Sequence, residues 1–457
     1  MKSLIAIFCL LLFSFRLLAQ QPGPGAQPDP SSPMAASTPA SGDQMPGVNM
    51  AEGMTMHPET FLEEIIHHAS SGTSAQPDSA PAPMLMTMRG HWMLMFHANV
   101  FILDEQQTGP RGADKFFSTN WFMGMAQHPA GHGVFTARAM LSLEPATVSE
   151  RRYPLLFQQG ETAYGKPIVD GQHPHDFFME LAALYDLHLG ERGLLSFYVA
   201  PIGDPAIGPA AYPHRASASE DPLAALGHHQ EDSTHIASDV FTVGAAYSFL
   251  RIEASGFHGR EPDEFRWDIN QGKVDSWSTR LTLQPGKNWS GQFSYARIAS
   301  PESLFPTENQ QRTTASVMYN RPLAGARRGN WANSVVWGRT RSLTDNSIFN
   351  SYLLESTLRF AAKNYVWTRM ENVDRSNELL LDGAALPPGF AEKPLARVQA
   401  YSFGYSRDFD VVPHLASSIG AQVTTYGVPG VLQPIYGSHP AGVVLYLRLR
   451  PFSGGER

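Results

Sequence analysis

From Arg89 onward the chain runs in short segments whose apolar and polar residues alternate one by one, and this period of two constrains the fold more than any other feature. In a β-strand successive side chains point to opposite faces, so alternation makes a strand with one greasy side and one wet side. From Asp275 to Leu283, Trp277, Thr279, Leu281 and Leu283 share one face, while Ser276, Ser278, Arg280 and Thr282 share the other. The split recurs from Ser351 to Phe360, where Tyr352, Leu354, Leu358 and Phe360 oppose Ser351, Glu355, Thr357 and Arg359. It recurs again from Val443 to Arg450.

About sixteen such segments follow one another, the count expected of an up-and-down antiparallel barrel. Short links, such as 190–192, 285–287, 363–364 and 410–413, alternate with long ones, such as 145–175, 203–235, 259–273, 375–395 and 427–439. Tight turns at one end and longer loops at the other are the mark of a transmembrane β-barrel. A soluble β-sandwich or propeller would also alternate, but three features favour the barrel. The segments approach the roughly ten residues that a tilted strand needs to cross a bilayer. Aromatics including Trp277, Trp289, Trp331, Trp337, Trp367, Tyr401 and Tyr405 gather near segment ends, as an interfacial girdle would. Arg138, Glu180, Arg280, Glu355, Arg359, Arg448 and Arg450 fall opposite the apolar sets and are expected to line a lumen.

The start of the chain reads as an export address. Lys2 precedes an apolar run from Leu4 to Phe15, and cleavage after Ala19 would make 1–19 a signal peptide. Residues 20–83, rich in Pro, Ala and Ser, read as a disordered periplasmic segment with a short amphipathic helix at 58–69, where Phe61, Leu62, Ile65 and Ile66 have helical spacing. Residues 84–457 are then the barrel, which would sit in the outer membrane against its lipid, finishing on Phe452 and a short polar tail. No apolar run of helical-span length follows the leader.

A net charge of −8 supplies no basic face for nucleic acid. Cys9 is the only cysteine and lies in the leader, so disulfides and thiolate chemistry are excluded from the rest. Two groups stand out as metal ligands. The first gathers His173, His175, Asp176, His214, His228, His229, Asp232 and His235 from two long loops that would meet at the extracellular mouth. Imidazole and carboxylate suit zinc or copper. The second joins thioethers to imidazoles near the N-terminus, with Met54, Met56, His57 and His91 as copper ligands on the inner side and Met93, Met95, His97, Met123 and Met125 further along. His175, Asp176 and Ser233 make a hydrolase triad only on paper, because no Gly-x-Ser-x-Gly elbow accompanies them.

The run from Leu156 to Glu261, with Gly171-Gln172-His173-Pro174-His175-Asp176, Pro213-His214-Arg215, Asp232-Ser233-Thr234-His235 and Gly259-Arg260-Glu261-Pro262-Asp263, resembles an uncharacterised group of bacterial outer-membrane barrels. The likeness continues through Gln311-Arg312-Thr313-Thr314 and Tyr319-Asn320-Arg321-Pro322, so it covers most of the mature chain. The Met- and His-rich N-terminal part is more loosely similar to the outer-membrane copper resistance protein B family, which joins a Met-rich leader to a barrel. These resemblances imply location and fold. The expectation is a porin-like channel for small polar solutes or metal ions, not an enzyme, with homo-oligomerisation as for porins. A copper- or zinc-binding resistance protein is the first alternative, and an outer-membrane hydrolase the second.

Overall fold

The computed structural model describes residues 58–232, 237–324 and 328–452. Sixteen antiparallel strands form a closed ring: β1 (Trp92–Gln107), β2 (Asp114–Ala130), β3 (Gly133–Leu141), β4 (Phe178–Leu189), β5 (Gly193–Gly203), β6 (Ala237–Tyr247), β7 (Leu250–His258), β8 (Ser276–Gly286), β9 (Trp289–Ala299), β10 (Asn309–Leu323), β11 (Gly329–Ser342), β12 (Ile348–Phe360), β13 (Asn364–Ser376), β14 (Pro394–Val412), β15 (Leu415–Gly427) and β16 (Ala441–Pro451). Each pairs with its neighbours in sequence, and β16 returns to β1 in a register from Val100↔Leu449 to Gln107↔Gly442. Closure removes the unpaired backbone that an open sheet would leave at its edges. A short leading strand, Leu85–Arg89, turns back at Gly90 and pairs with Trp92 to Phe96 of β1.

Tight turns gather at one end of the ring and long loops at the other. Gly131 and Gly190 open two of the turns with φ of 58° and 69°, a region that a side chain disfavours. The loops at the other end include 142–177 and 204–232.

The side-chain pattern inverts that of a water-soluble fold. Along β9 the exposed Phe293 alternates with the buried Gln292 and Ser294; along β12 the exposed Tyr352 and Leu354 alternate with the buried Ser351 and Glu355. Apolar residues such as Val199, Phe241, Ile252, Val335, Phe403 and Leu445 are exposed on the outside. Arg251, Glu253, Arg280, Arg369 and Arg448 are buried on the inside. That arrangement suits a bilayer and a polar lumen. Exposed Trp92, Tyr247, Trp289 and Trp331 lie near the turn end, and Phe116, Phe265 and Trp267 near the loop end. Trp367 departs from the expected girdle. It is buried on the inner face, lying flat against Gly404, where any side chain would collide with its ring.

The lumen is filled by the chain itself. Residues 58–83, expected to be part of a mobile linker, begin with the helix α1 (Phe61–His67), whose N-cap Thr60 accepts from the Glu63 N–H. They continue inside the ring against β3 to β10. Arg138 donates to the carbonyls of His68 (3.1 Å) and Ser70 (2.8 Å) and to that of Gly72. Arg251 donates to Thr73 O at 2.7 Å and Arg280 to Thr73 Oγ1 at 2.9 Å. Chain entropy does not win here because charged wall residues satisfy the segment's backbone. Residues 1–57, including positions 1–19, read from the sequence as a signal peptide, lie outside the described residues.

Two loops also fold inward. Loop 204–232 lies along β12 to β16, where Arg369 donates to Leu223 O (2.8 Å), Arg375 to Leu226 O (2.7 Å) and Thr357 to Ser217 O (2.6 Å). Loop 142–177 brings Tyr153, Leu156 and Phe157 into an apolar cluster with Phe101, Phe117, Tyr426 and Tyr436.

Candidate functional site

The loop histidines do not stand at a solvated mouth, as the sequence suggested. They are drawn into the lumen, and its walls divide them. His173, from the strand-entry step of the first loop, meets His228 and His229 from α2 (His228–Glu231) of the second, with one ligand nitrogen of each within 4.8 Å of the others. Pro174 fixes the backbone after His173, whose Nδ1 lies 2.8 Å from the Pro174 carbonyl, leaving Nε2 to face the cluster.

Glu161 completes this group, and nothing in the sequence marked it. Its Oε1 lies 2.9 Å from His173 Nε2 and 3.1 Å from His229 Nε2. The residue sits on a small hairpin, Glu161–Ala163 against Lys166–Ile168, within the first loop. Burial opposes its ionisation, but His173 and His229 outweigh that and hold the carboxyl well below its ordinary range. Burial lowers both His228 and His229, so each is a neutral imidazole with a lone pair to offer. Three imidazoles and a carboxylate from two loops are a donor set that zinc or copper(II) accepts.

The remaining predicted ligands go elsewhere. His175 turns to Glu144, Nδ1 to Oε2 at 3.0 Å, with Tyr212 Oη 3.4 Å from its Nε2. Asp176 pairs with Arg266 at 3.1 Å. Asp232 pairs with Arg215 at 3.1 Å, inside a network in which Arg215 also holds Glu355 at 2.9 Å. His214 lies beside Met140 and Trp121. His91 is exposed at the turn end near His128, their ring centroids 6.3 Å apart. His235, Met54, Met56 and His57 lie outside the described residues.

The charged residues expected to line a lumen do face inward, but most contact protein. Arg138 pairs with Glu180 at 2.8 Å, and Arg280 with Glu253 at 2.9 Å. Glu355 takes Arg215 and Arg369, while Arg448 takes Glu220 and Asp408. Arg450 donates to Ser219 O at 2.7 Å. Arg359 is half-buried, over the Tyr365 ring at 5.8 Å.

A cavity lies on either side of this filling. One of about 270 Å³ is lined by His97, Trp121 and His214 and by the turn-end residues Asn330, Arg359 and Phe452. A smaller one of about 70 Å³ touches His229 and opens among the loop-end residues Ser342, Phe349 and Asp374.

No family model matches this sequence, and no curated protein does. Among solved structures the chain is similar to an anion-selective porin from Comamonas acidovorans, at 9% identity over 79% of this chain and 99% of that one, with a TM-score of 0.48. It is also similar to Salmonella typhi OmpF in complex with daunomycin (10% identity, 80% and 100% covered, TM-score 0.45) and to Pseudomonas putida OprB (10%, 79% and 94%, TM-score 0.45).

Proposed function

We propose that the chain is an outer-membrane channel for small polar solutes or metal ions, whose lumen is closed in the resting state by residues 58–83 and the two inward loops. The carrying observation is the inverted polarity of a closed ring: apolar Phe293, Leu354 and Leu445 outside, Arg251, Arg280 and Arg448 inside. Hydrocarbon is the solvent that such an exterior fits. In this reading the turn end and the N-terminal segment face the periplasm after removal of the leader, and loop exteriors face outward. Homo-oligomers of the barrel are consistent with its exposed apolar wall.

Conductance across a planar bilayer tests the reading. The full chain should be nearly silent, and deletion of residues 58–83 should open a steady current. Silence of both proteins, each shown to be inserted and folded, would remove the channel.

A second reading, metal handling, is favoured by one observation, the convergence of His173, His228 and His229 on Glu161 across two loops. A divalent ion there would staple the loops together and hold the lumen shut. Protein purified without a histidine tag should carry zinc or copper, and His228→Ala with His229→Ala should lose it. Equal metal content in both would refute this reading. Hydrolysis draws no such support, since His175 is engaged by Glu144 and Asp176 by Arg266.

A further inference from the structure

A different set of side chains, on the turn-end side of the filling, has another chemistry. His97 of β1, Met123 of β2 and Met140 of β3 are successive cross-strand partners, so they form one row across three strands. All three are buried on the inner face. His97 Nε2 lies 2.9 Å from Met123 Sδ. From the second inward loop, His214 brings its Nε2 to 3.4 Å from Met140 Sδ, and the two imidazole centroids are 5.8 Å apart. Two nitrogens and two sulfurs therefore face one small volume.

The character of these donors decides the ligand. In the first cluster His173 and His229 both reach the Glu161 carboxylate; here each imidazole reaches a thioether, and none of the four donors is an acid. As ligands, imidazole and thioether are both uncharged donors. The Arg138 guanidinium is matched by Glu180 at 2.8 Å. A neutral set with two thioethers gives little to a divalent ion such as zinc, which prefers anionic or harder ligands, and suits a soft monovalent one.

Access is present too. His97 and His214 line the cavity of about 270 Å³ that reaches the turn end. Met93, Met95 and Met125 are buried on the same inner face, one or two rows nearer that end, and extend the sulfur lining toward it.

We infer that His97, Met123, Met140 and His214 form a binding site for a soft monovalent cation, Cu(I) or its analogue Ag(I). The site is separate from the His173 cluster in place and in ligand type. It does not require the barrel to conduct.

Ag(I) titration of the folded full chain tests it, with Trp121 as a local reporter, since its ring lies 5.0 Å from His97 and 4.5 Å from His214. The native protein should bind Ag(I) with a change in fluorescence that Trp121→Phe abolishes, and Zn(II) should not compete. Met123→Leu with Met140→Leu, which keeps the apolar volume, should weaken binding by at least about 100-fold. Met54→Leu with Met56→Leu, and His228→Ala, should leave this signal in place. X-ray absorption of the Ag(I) form should show both sulfur and nitrogen neighbours. Unchanged affinity in the Met123/Met140 variant, with its barrel shown folded by heat-modifiable gel mobility, would overturn the site. So would a bound ion that leaves Trp121 unaffected.

Discussion

Arg138 Nη2 lies 2.8 Å from Glu180 Oε1 across β3 and β4, and the pair grips the inserted segment by both polarities of its backbone. Arg138 donates to three carbonyls, while Glu180 Oε1 accepts the Gly72 N–H at 3.0 Å. Removing one member of a buried, hydrogen-bonded pair strands the other, at about 3–5 kcal/mol. Arg138→Gln should therefore undock residues 58–83 while leaving the ring intact. Maleimide labelling of Ser74→Cys, slow in the parent, should become fast in the Arg138→Gln background. Equal rates would show that the pair does not hold the segment.

Arg215 plays the matching part for the second loop. Fully buried, it joins Asp232 of its own loop to Glu355 of the β12 wall. Arg215→Met should free loop 204–232 at a cost of roughly 3–5 kcal/mol, read as new protease sensitivity within that loop and as lowered thermal stability. Resistance equal to the parent would count against this anchor.

The inserted segment should also respond to pH. Glu64 is pushed up to about 8, chiefly by burial, and Asp78 to about 7, by burial against the pull of Lys287. Asp204, packed on Gly72, is pushed up to about 7 by burial and by the Glu180 carboxylate, with Arg138 opposing. A carboxyl whose pKa is raised on docking takes up a proton. Its stabilisation is complete below the ordinary carboxylate range, near 4, and is lost as pH rises through 7 to 8. Labelling of Ser74→Cys, corrected for thiolate fraction, should speed up between pH 5 and pH 9. Slower corrected labelling at pH 9 would reverse the sign of this argument.

The outer wall makes a separate prediction. Phe293, half exposed near the middle of β9, points out of the ring, where the proposed function puts hydrocarbon. Phe293→Arg should cost about 2–4 kcal/mol of stability in bilayers, whereas Phe293→Leu should cost little. Indifference to the arginine would mean that this face is wet.

The ring was legible because its signal is local. Wherever the lumen face is Ser, Thr, Gln or Arg, as at Ser276, Ser278 and Arg280, alternation with Trp277 and Leu281 exposes the strand in the bare sequence. On β1 the inner face carries Met93 and Met95, so apolar residues occupy both sides and the pattern blurs. The filling was illegible for a different reason. Residues 58–83 have the Pro, Ala and Ser content of a linker, and what orders them is a set of arginines, Arg138, Arg251 and Arg280, far along the chain.

Composition also said that the loop histidines were near ligands of some kind, but not which would meet. His173 and His175 are two apart, yet one turns to Glu161 and the other to Glu144. Met140 escaped notice as an ordinary apolar residue of β3. Only the register with Met123, and through it with His97, gives that thioether a partner.

The seam between β1 and β16 carries a consequence for assembly. The ring cannot close until Ala441–Pro451 reaches β1, yet one of the segments it encloses, residues 58–83, precedes β1 in the chain. Helix α1 and the stretch after it must already be inside when the final strand docks, or be threaded through an end afterwards. The cargo is thus packed before the wall is sealed, and a chain lacking its last strand would leave both the wall and the parcel undone.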